Sequence, residues 1–388
     1  MKFRPRNRTA ATLIAAGIAS STLLAACTST TPTADGGAIA VSSSDDTCDV
    51  GAAEAPSGVV QFKVENTGSQ VTEFYLLAAD GLQVVGEVEN IGPGLTRDLV
   101  VQAAPGTYQV ACKPGMVGDG LRSAFTVTDS GTAVVPTGSV GDLLNAATVA
   151  YASYVKDQTE QLITDTKEFA DAYKAGDDDK ARDLYATTRM HWEGIEPVAE
   201  SFGDLDPRTD AREADLEPGQ EWTGWHRIEK DLWPPADYTP LTPAERTKLA
   251  DLLVSDTQEL YDRSRDLQFT ASQMGNGAKE LLDEVATGKI TGEEEFWSHT
   301  DLWDFQANLD GAKVMYAGLK PVVEQKDAAL AKTLDAEFAN VQTLLDKYKD
   351  GDGWKYYTDL TPDQIKELAN AVDALGEPLS RLTSTVLL

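Results

Sequence analysis

The hydrophobic period of the chain changes near residue 140, and the change demands two folding units of different kinds. Before it, Val60, Phe62 and Val64 alternate with Gln61, Lys63 and Glu65, the period of a strand with one buried face. Val84-Val85, Leu99-Val100-Val101 and Phe125–Val127 add short apolar runs, and Gly81, Gly92-Pro93-Gly94, Pro105-Gly106 and Pro114-Gly115 supply turns between them. Strands so spaced predict a small antiparallel β-sandwich. From Leu143 onward, Tyr151, Tyr154, Val155, Leu162, Phe169 and Tyr173 follow helical spacing. Further helices are expected at about 178–202, 226–232, 242–286, 300–318, 323–349 and 361–375. Thr242-Pro243-Ala244-Glu245 and Thr361-Pro362-Asp363 read as helix starts. Each offers a Thr N-cap, Pro where no amide is needed, and an acid near the positive end of the dipole. The stretch 129–142, with Gly131, Pro136, Gly138 and Gly141, is the boundary. The fold class is therefore multi-domain, β then α.

The N-terminus reads as targeting rather than fold. Lys2, Arg4, Arg6 and Arg8 precede a small, apolar stretch from Ala10 to Ala26 that ends in Leu24-Ala25-Ala26-Cys27. That ending is a lipobox, so residues 1–26 are expected to be a lipoprotein signal peptide and Cys27 the lipidated residue. Residues 27–45, rich in Thr, Ser, Ala and Gly, read as a flexible tether. The product is expected outside the cytoplasm, lipid-anchored to the outer face of the membrane or periplasmic. The chain carries a net charge of −30, and losing the basic leader makes it more acidic still. Such a surface repels nucleic acid and attracts cations.

The chain has three histidines. His191 and His226 flank an acid-rich, Gly/Pro-punctuated stretch, and His299 follows in EEEFWSHTDLWDF. His226-Arg-Ile-Glu229 places an imidazole and a carboxylate three apart, neighbours on one helix face; Glu193-Gly-Ile-Glu196 does the same with two carboxylates. Two facing helices with such pairs follow the logic of carboxylate metal sites in bundle cores. Asp206 and Asp210 lie on the connection, and Trp192, Trp222 and Trp225 are expected around the acids. Oxygen donors with imidazole suit iron, manganese or zinc better than copper(I). A zinc peptidase would need His-Glu-x-x-His. The chain lacks that string, which disfavours a metallopeptidase.

These residues carry a family resemblance. HWEGIEPVAESFGDLDP, WTGWHRIEKDLW and EEEFWSHTDLWDFQANLDGAK resemble the imelysin-like, HxxE-motif domain of the EfeO/EfeM family of bacterial extracytoplasmic iron-uptake proteins. The resemblance spans about residues 143–388 and implies two packed four-helix bundles with a metal site. By position, His226 and Glu229 match the HxxE motif, and Glu193, Glu196 and Asp210 match the acidic cluster assigned to metal. One glutamate of Glu293-Glu294-Glu295 is expected to join; Glu294 is the choice. Ser298 to Asp301 also fits a variant of the capping box. The resemblance implies an iron-binding component of an EfeUOB-type uptake system, delivering ferrous or ferric iron to a membrane permease beside a haem-dependent peroxidase. Zinc would serve as a surrogate ion. The rival readings are a metallopeptidase and a lipoprotein that binds acidic polysaccharide or another solute.

The first lobe resembles the cupredoxin-like domain of the longer family members, over about residues 46–128. KVENTG, VTEFYLL, GEVENIGPG and PGTYQVACKPGMVGDG carry the likeness. Cys112-Lys-Pro-Gly-Met116 keeps a cupredoxin Cys/Met spacing, yet the lobe has no histidine, so a His2Cys electron-transfer centre is excluded. Two alternatives stand. Cys48, Cys112, Met116 and Glu73 hold copper or a second iron and assist iron oxidation, or Cys48 and Cys112 form a disulfide.

Overall fold

The computed structural model describes residues 37–131, 133–216 and 219–388. The leader and Cys27 lie outside the described residues. The first lobe contains β1 (Ile39–Ser43), β2 (Cys48–Val50), β3 (Glu54–Pro56), β4 (Gly58–Asn66), β5 (Thr72–Leu77), β6 (Val84–Ile91), β7 (Thr96–Ala103), β8 (Gly106–Pro114) and β9 (Leu121–Thr128). One sheet runs β2-β1-β4-β7 and the other β3-β9-β8-β5-β6. Phe62 of the first sheet packs between Phe74 and Phe125 of the second, with ring centroids 5.1 and 5.4 Å away. The sandwich is not wholly antiparallel, because β1 runs parallel to β4 and β3 parallel to β9. β1 also falls inside the segment expected to be a tether. Its Ile39, Val41 and Ser43 are buried in alternation, but two aliphatic residues in a Ser/Ala-rich run leave little periodic trace.

The helical lobe contains α1 (Gly138–Ala175), α2 (Asp178–Glu193), α3 (Glu196–Glu200), α4 (Asp206–Thr209), α5 (Trp225–Leu232), α6 (Pro243–Ser264), α7 (Ala271–Thr287), α8 (Asp301–Lys326), α9 (Ala328–Asp346), α10 (Pro362–Leu379) and α11 (Leu382–Leu387). Thr242 and Thr361 cap α6 and α10 through reciprocal capping boxes. Thr270 does the same for α7 with Gln273, which divides the helix expected at 242–286. The helix expected at 178–202 is also divided. α2 ends at Glu193, and Pro197, which has no amide to donate, sits in the first turn of α3. Glu193 and Glu196 therefore occupy two helices rather than one face of a single helix.

α7, α8, α9 and α10 close one four-helix ring; α1, α2, α5 and α6 close another, and α8 packs against α1 and α2 to join them. The close approach at that joint needs glycine: a Cβ on Gly311 of α8 would lie 2.4 Å from the Gly194 carbonyl oxygen at the α2–α3 break. The two lobes meet where β6 and β7 pack on α7. The Gln102 amide donates to Ser272 Oγ at 2.9 Å, the Ser272 amide donates to Gln102 Oε1 at 3.2 Å, and the Asn276 side chain donates to the Val100 carbonyl at 3.1 Å. Among the described residues, no helix is long and apolar enough to cross a membrane.

Candidate metal centre

The joint between the two helical rings buries an unusual concentration of charge. The last turns of α2 contribute Arg189 and Glu193, α3 contributes Glu196, and the residue after α4 is Asp210. His226 and Glu229 stand on α5; Glu294 and Glu295 come from the loop before α8, and Asp301, Asp304 and Asn308 from its first turns. All of these are buried. One glycine brings α5 onto Asp210. Gly224 has φ 85° and ψ −163°, a region open almost only to glycine. A Cβ there would lie 2.0 Å from the Thr209 carbonyl oxygen.

His226 Nε2 lies 3.3 Å from both Asp210 Oδ1 and Glu294 Oε1, without an aligned hydrogen bond to either. Its other nitrogen, Nδ1, is 3.2 Å from Glu229 Oε2. Glu229 is itself fixed, because its Oε1 accepts the amides of Trp297 and Ser298 at 2.9 and 2.7 Å. A carboxylate that holds one imidazole nitrogen sets which nitrogen faces an ion. Ligand atoms of Asp210, His226 and Glu294 lie within 4.8 Å of one another, as do those of His226, Glu229 and Glu295 and those of Glu193, Glu196 and Asp210.

Two permanent cations share the pocket. Arg189 pairs with Glu193 and Asp210, and reaches Glu295 at 2.5 Å and Glu294 at 3.3 Å. Lys289 donates to Glu193 Oε2 at 2.5 Å and Glu196 Oε2 at 2.9 Å. Asn308 donates to Glu193 Oε2 at 3.0 Å. Carboxylates still outnumber cations, and the titration behaviour follows. Burial alone would raise Glu294, yet Lys289 and His226 pull it down to about 2. Burial would raise Asp210 too; Arg189 and His226 hold it well below the usual carboxylate range. Burial and Arg189 both oppose protonation of His226, but Asp210, Glu229 and Glu294 overcome them and push it well above its ordinary value. Burial pushes Glu295 and Asp304 up. Asp206 rises to about 7, first by burial and then by Asp210 and Glu294.

The pocket brings together Glu193, Glu196, Asp210, His226, Glu229 and Glu294, all singled out from sequence. Within the glutamate run, Glu294 faces the His226 ring, Glu295 faces Arg189, and Glu293 is exposed. Arg189, Lys289, Asp304 and Asn308 were not anticipated, and Glu295 of the expected run joins the pocket as well as Glu294. Arg189 precedes Glu193 by one helical turn, a spacing that could have revealed it; nothing around Lys289 in ATGKITG marks it. Two of the three histidines stand elsewhere. His191 Nδ1 is 2.9 Å from Gln158 and its Nε2 is 3.3 Å from Asp165, while His299 adopts φ 61° in the loop and accepts the Tyr357 amide at its carbonyl. The capping box expected at Ser298–Asp301 does not form. Ser298 Oγ donates to Glu295 Oε2 at 2.8 Å, and Asp301 accepts the Glu295 amide at 3.3 Å. Trp192 and Trp225 are fully buried, and Trp222 donates to the Ala211 carbonyl at 2.8 Å.

The β lobe does not assemble the alternative ligand set. Cys48 and Cys112 are joined in a disulfide, which takes both sulfurs out of the thiolate set. Met116 sits in a turn, 39% exposed. Glu73 pairs in register with Lys113 and accepts a 2.6 Å hydrogen bond from Tyr75, while its neighbour Phe74 pairs with Cys112. Alternation along β5 thus puts Glu73 on the face opposite the sulfurs. With no histidine in the lobe, these residues do not fit a copper centre.

Comparison with known proteins agrees with this layout. The imelysin family profile matches residues 147–382, and a cupredoxin-like domain profile matches residues 17–127. An Escherichia coli O1:K1 protein, "Iron uptake system component EfeO", is 38% identical over 89% of this chain and 90% of its own length. The protein of that name from Yersinia pestis is 39% identical over the same shares. A crystal structure of a Parabacteroides distasonis protein described as an iron-regulated protein A precursor superposes with a TM-score of 0.50 at 16% identity, over 66% of this chain and 97% of that one; it supports the fold alone. With a cupredoxin-like lobe, an imelysin lobe and relatives of this identity along most of its length, the chain belongs to the EfeO family of two-domain iron-uptake components.

Proposed function

We propose that this protein captures iron outside the cytoplasmic membrane in the buried pocket of its helical lobe and hands it to a membrane iron permease. The observation that carries the reading is the position in front of His226 Nε2. There a buried nitrogen without an aligned partner faces two carboxylates held below their ordinary pKa. A cation there would draw on one imidazole and several oxygens, a donor set suited to iron. The proposed ligands are His226, Asp210 and Glu294, with Glu193 and Glu196 adjoining and Glu229 orienting the imidazole. The relatives' name, iron uptake system component, supplies the ion. Lipidation at Cys27, and a haem-dependent peroxidase as companion, complete the proposal. Hydrolysis is not favoured, because His226 is the pocket's one imidazole and the other two histidines stand apart from it.

Anaerobic and aerobic iron titrations test the proposal, on the full chain and on a Glu193/His226/Glu229→Ala variant. Saturable binding that the variant loses is the expected result. Equal binding by both proteins would refute the assignment.

A further inference from the structure

Lys289 occupies a position that an incoming ion would need. It follows α7 in a short 3-10 turn, Lys289–Thr291, and its side chain is 3% exposed. Its ammonium lies 2.5 Å from Glu193 Oε2, 2.9 Å from Glu196 Oε2 and 3.2 Å from Glu284 Oε2. Glu193 and Glu196 belong, with Asp210, to one of the groups whose ligand atoms converge within 4.8 Å. All three converging carboxylates therefore already hold a cation that belongs to the chain, Glu193 and Glu196 through Lys289 and Asp210 through Arg189.

The two resident cations differ in what they can do. Arg189 is fully buried and spreads a planar fork over Glu193, Asp210, Glu294 and Glu295, a geometry that resists displacement. Lys289 is a point charge on a flexible stem with three rotatable donors. A second set of acceptors lies beside it. Glu196, Glu200 and Glu284 converge in the same way, and Glu284 Oε1 and Glu200 Oε2 are buried with no hydrogen-bond partner. An ammonium leaving Glu193 and Glu196 would stay paired by turning onto these oxygens.

We propose that Lys289 is a displaceable internal cation, exchanged for the captured metal ion at Glu193 and Glu196 and received by Glu284 and Glu200. The inference rests on the reading of the pocket as an iron site. Exchange sets the selectivity: replacing an ammonium with a monovalent ion leaves the charge at the carboxylates unchanged, whereas a divalent or trivalent ion deepens the attraction. It also sets release, since the ammonium competes for the same oxygens and returns as the ion leaves.

The test is anaerobic titration of the full chain with ferrous iron, comparing wild type with Lys289→Met and Glu284→Gln, with melting followed with and without iron. Lys289→Met removes the competitor. It is expected to bind at least about tenfold tighter, to melt below wild type without iron, and to close that gap at saturation. Glu284→Gln, at a less buried position, weakens the receiving site; it leaves Lys289 more firmly on Glu193 and Glu196 and should bind several-fold more weakly. Unchanged or weaker binding by Lys289→Met, with the melting gap kept at saturation, overturns the inference while the iron site stands. If Lys289→Met does not fold, Glu284→Gln decides: binding equal to wild type sinks the exchange. Wild type that binds no iron sinks the proposed function itself.

Discussion

His226 presents its two ring nitrogens to different neighbours, and that division decides what each nearby carboxylate does. Glu229 is pinned by two backbone amides and faces Nδ1, while Asp210 and Glu294 face Nε2. Glu229→Gln keeps an oxygen for the amides of Trp297 and Ser298 but turns an NH2 group toward Nδ1. Once the ring gives up one of its two protons to an ion, it must then accept at Nδ1 and keep the remaining proton on Nε2, where the ion would bind. Iron affinity should fall about 10–100-fold with the fold intact, measured by titration and circular dichroism. His226→Ala, which deletes the nitrogen, should lose more. The second residue-scale expectation concerns Gly224. Alanine there meets the Thr209 carbonyl oxygen in a backbone conformation that disfavours any side chain, so Gly224→Ala should cost at least about 2 kcal/mol in urea denaturation. It should also weaken iron binding, because the same contact sets His226 against Asp210.

At the scale of elements, the disulfide joins β2 of one sheet to β8 of the other, across a separation of 64 residues. In the chain-entropy account, a loop of that length is worth about 4 kcal/mol. Cys48/Cys112→Ser should lower the stability of the β lobe by that order in chemical denaturation. Iron binding in the helical lobe should be unchanged, which separates a structural sulfur pair from a ligand pair. The elements also show what could be read in advance. The helix starts at Thr242 and Thr361 were legible because a helix start is a local event, settled by a few consecutive residues. β1 was not, because its burial depends on parallel pairing with β4, distant in sequence. The same contrast runs through the pocket. His226-x-x-Glu229 is local and legible. Lys289 is not, since its partners come from α2, α3 and α7, and only the assembled fold brings them to one ammonium.

Over the whole molecule, a run of carboxyl groups extends from the pocket to the seam between the lobes. Glu87 and Glu89 of the β lobe, with Glu73 beside them, face Glu200, Glu280 and Glu284 of the helical lobe, with Lys113, Lys289, Tyr75 and Asp283 nearby. Burial, with neighbouring acids adding to it at most of these sites, raises the pKa of all six glutamates, and Glu87 and Glu280 share a hydrogen bond. The folded state holds protons here that the unfolded chain releases. The resulting stability is present below the ordinary carboxylate range and is lost as pH rises through the folded values. The ion-free protein should therefore melt progressively lower as pH rises above the ordinary carboxylate range. Hydrogen exchange should rise first in β6 and α7, and multivalent cations should offset the loss. The disulfide has a mechanical consequence as well. A chain pulled from its N-terminal side loads β1 first, and at Cys48, the first residue of β2, the force passes through sulfur directly into β8, so the strands between are bypassed. Under oxidising conditions, force spectroscopy should find the β lobe short of its full contour length by roughly 200 Å, which reductant restores. A lobe wired in this way can transmit tension from its N-terminal end without the strands between its two cysteines being unravelled by it.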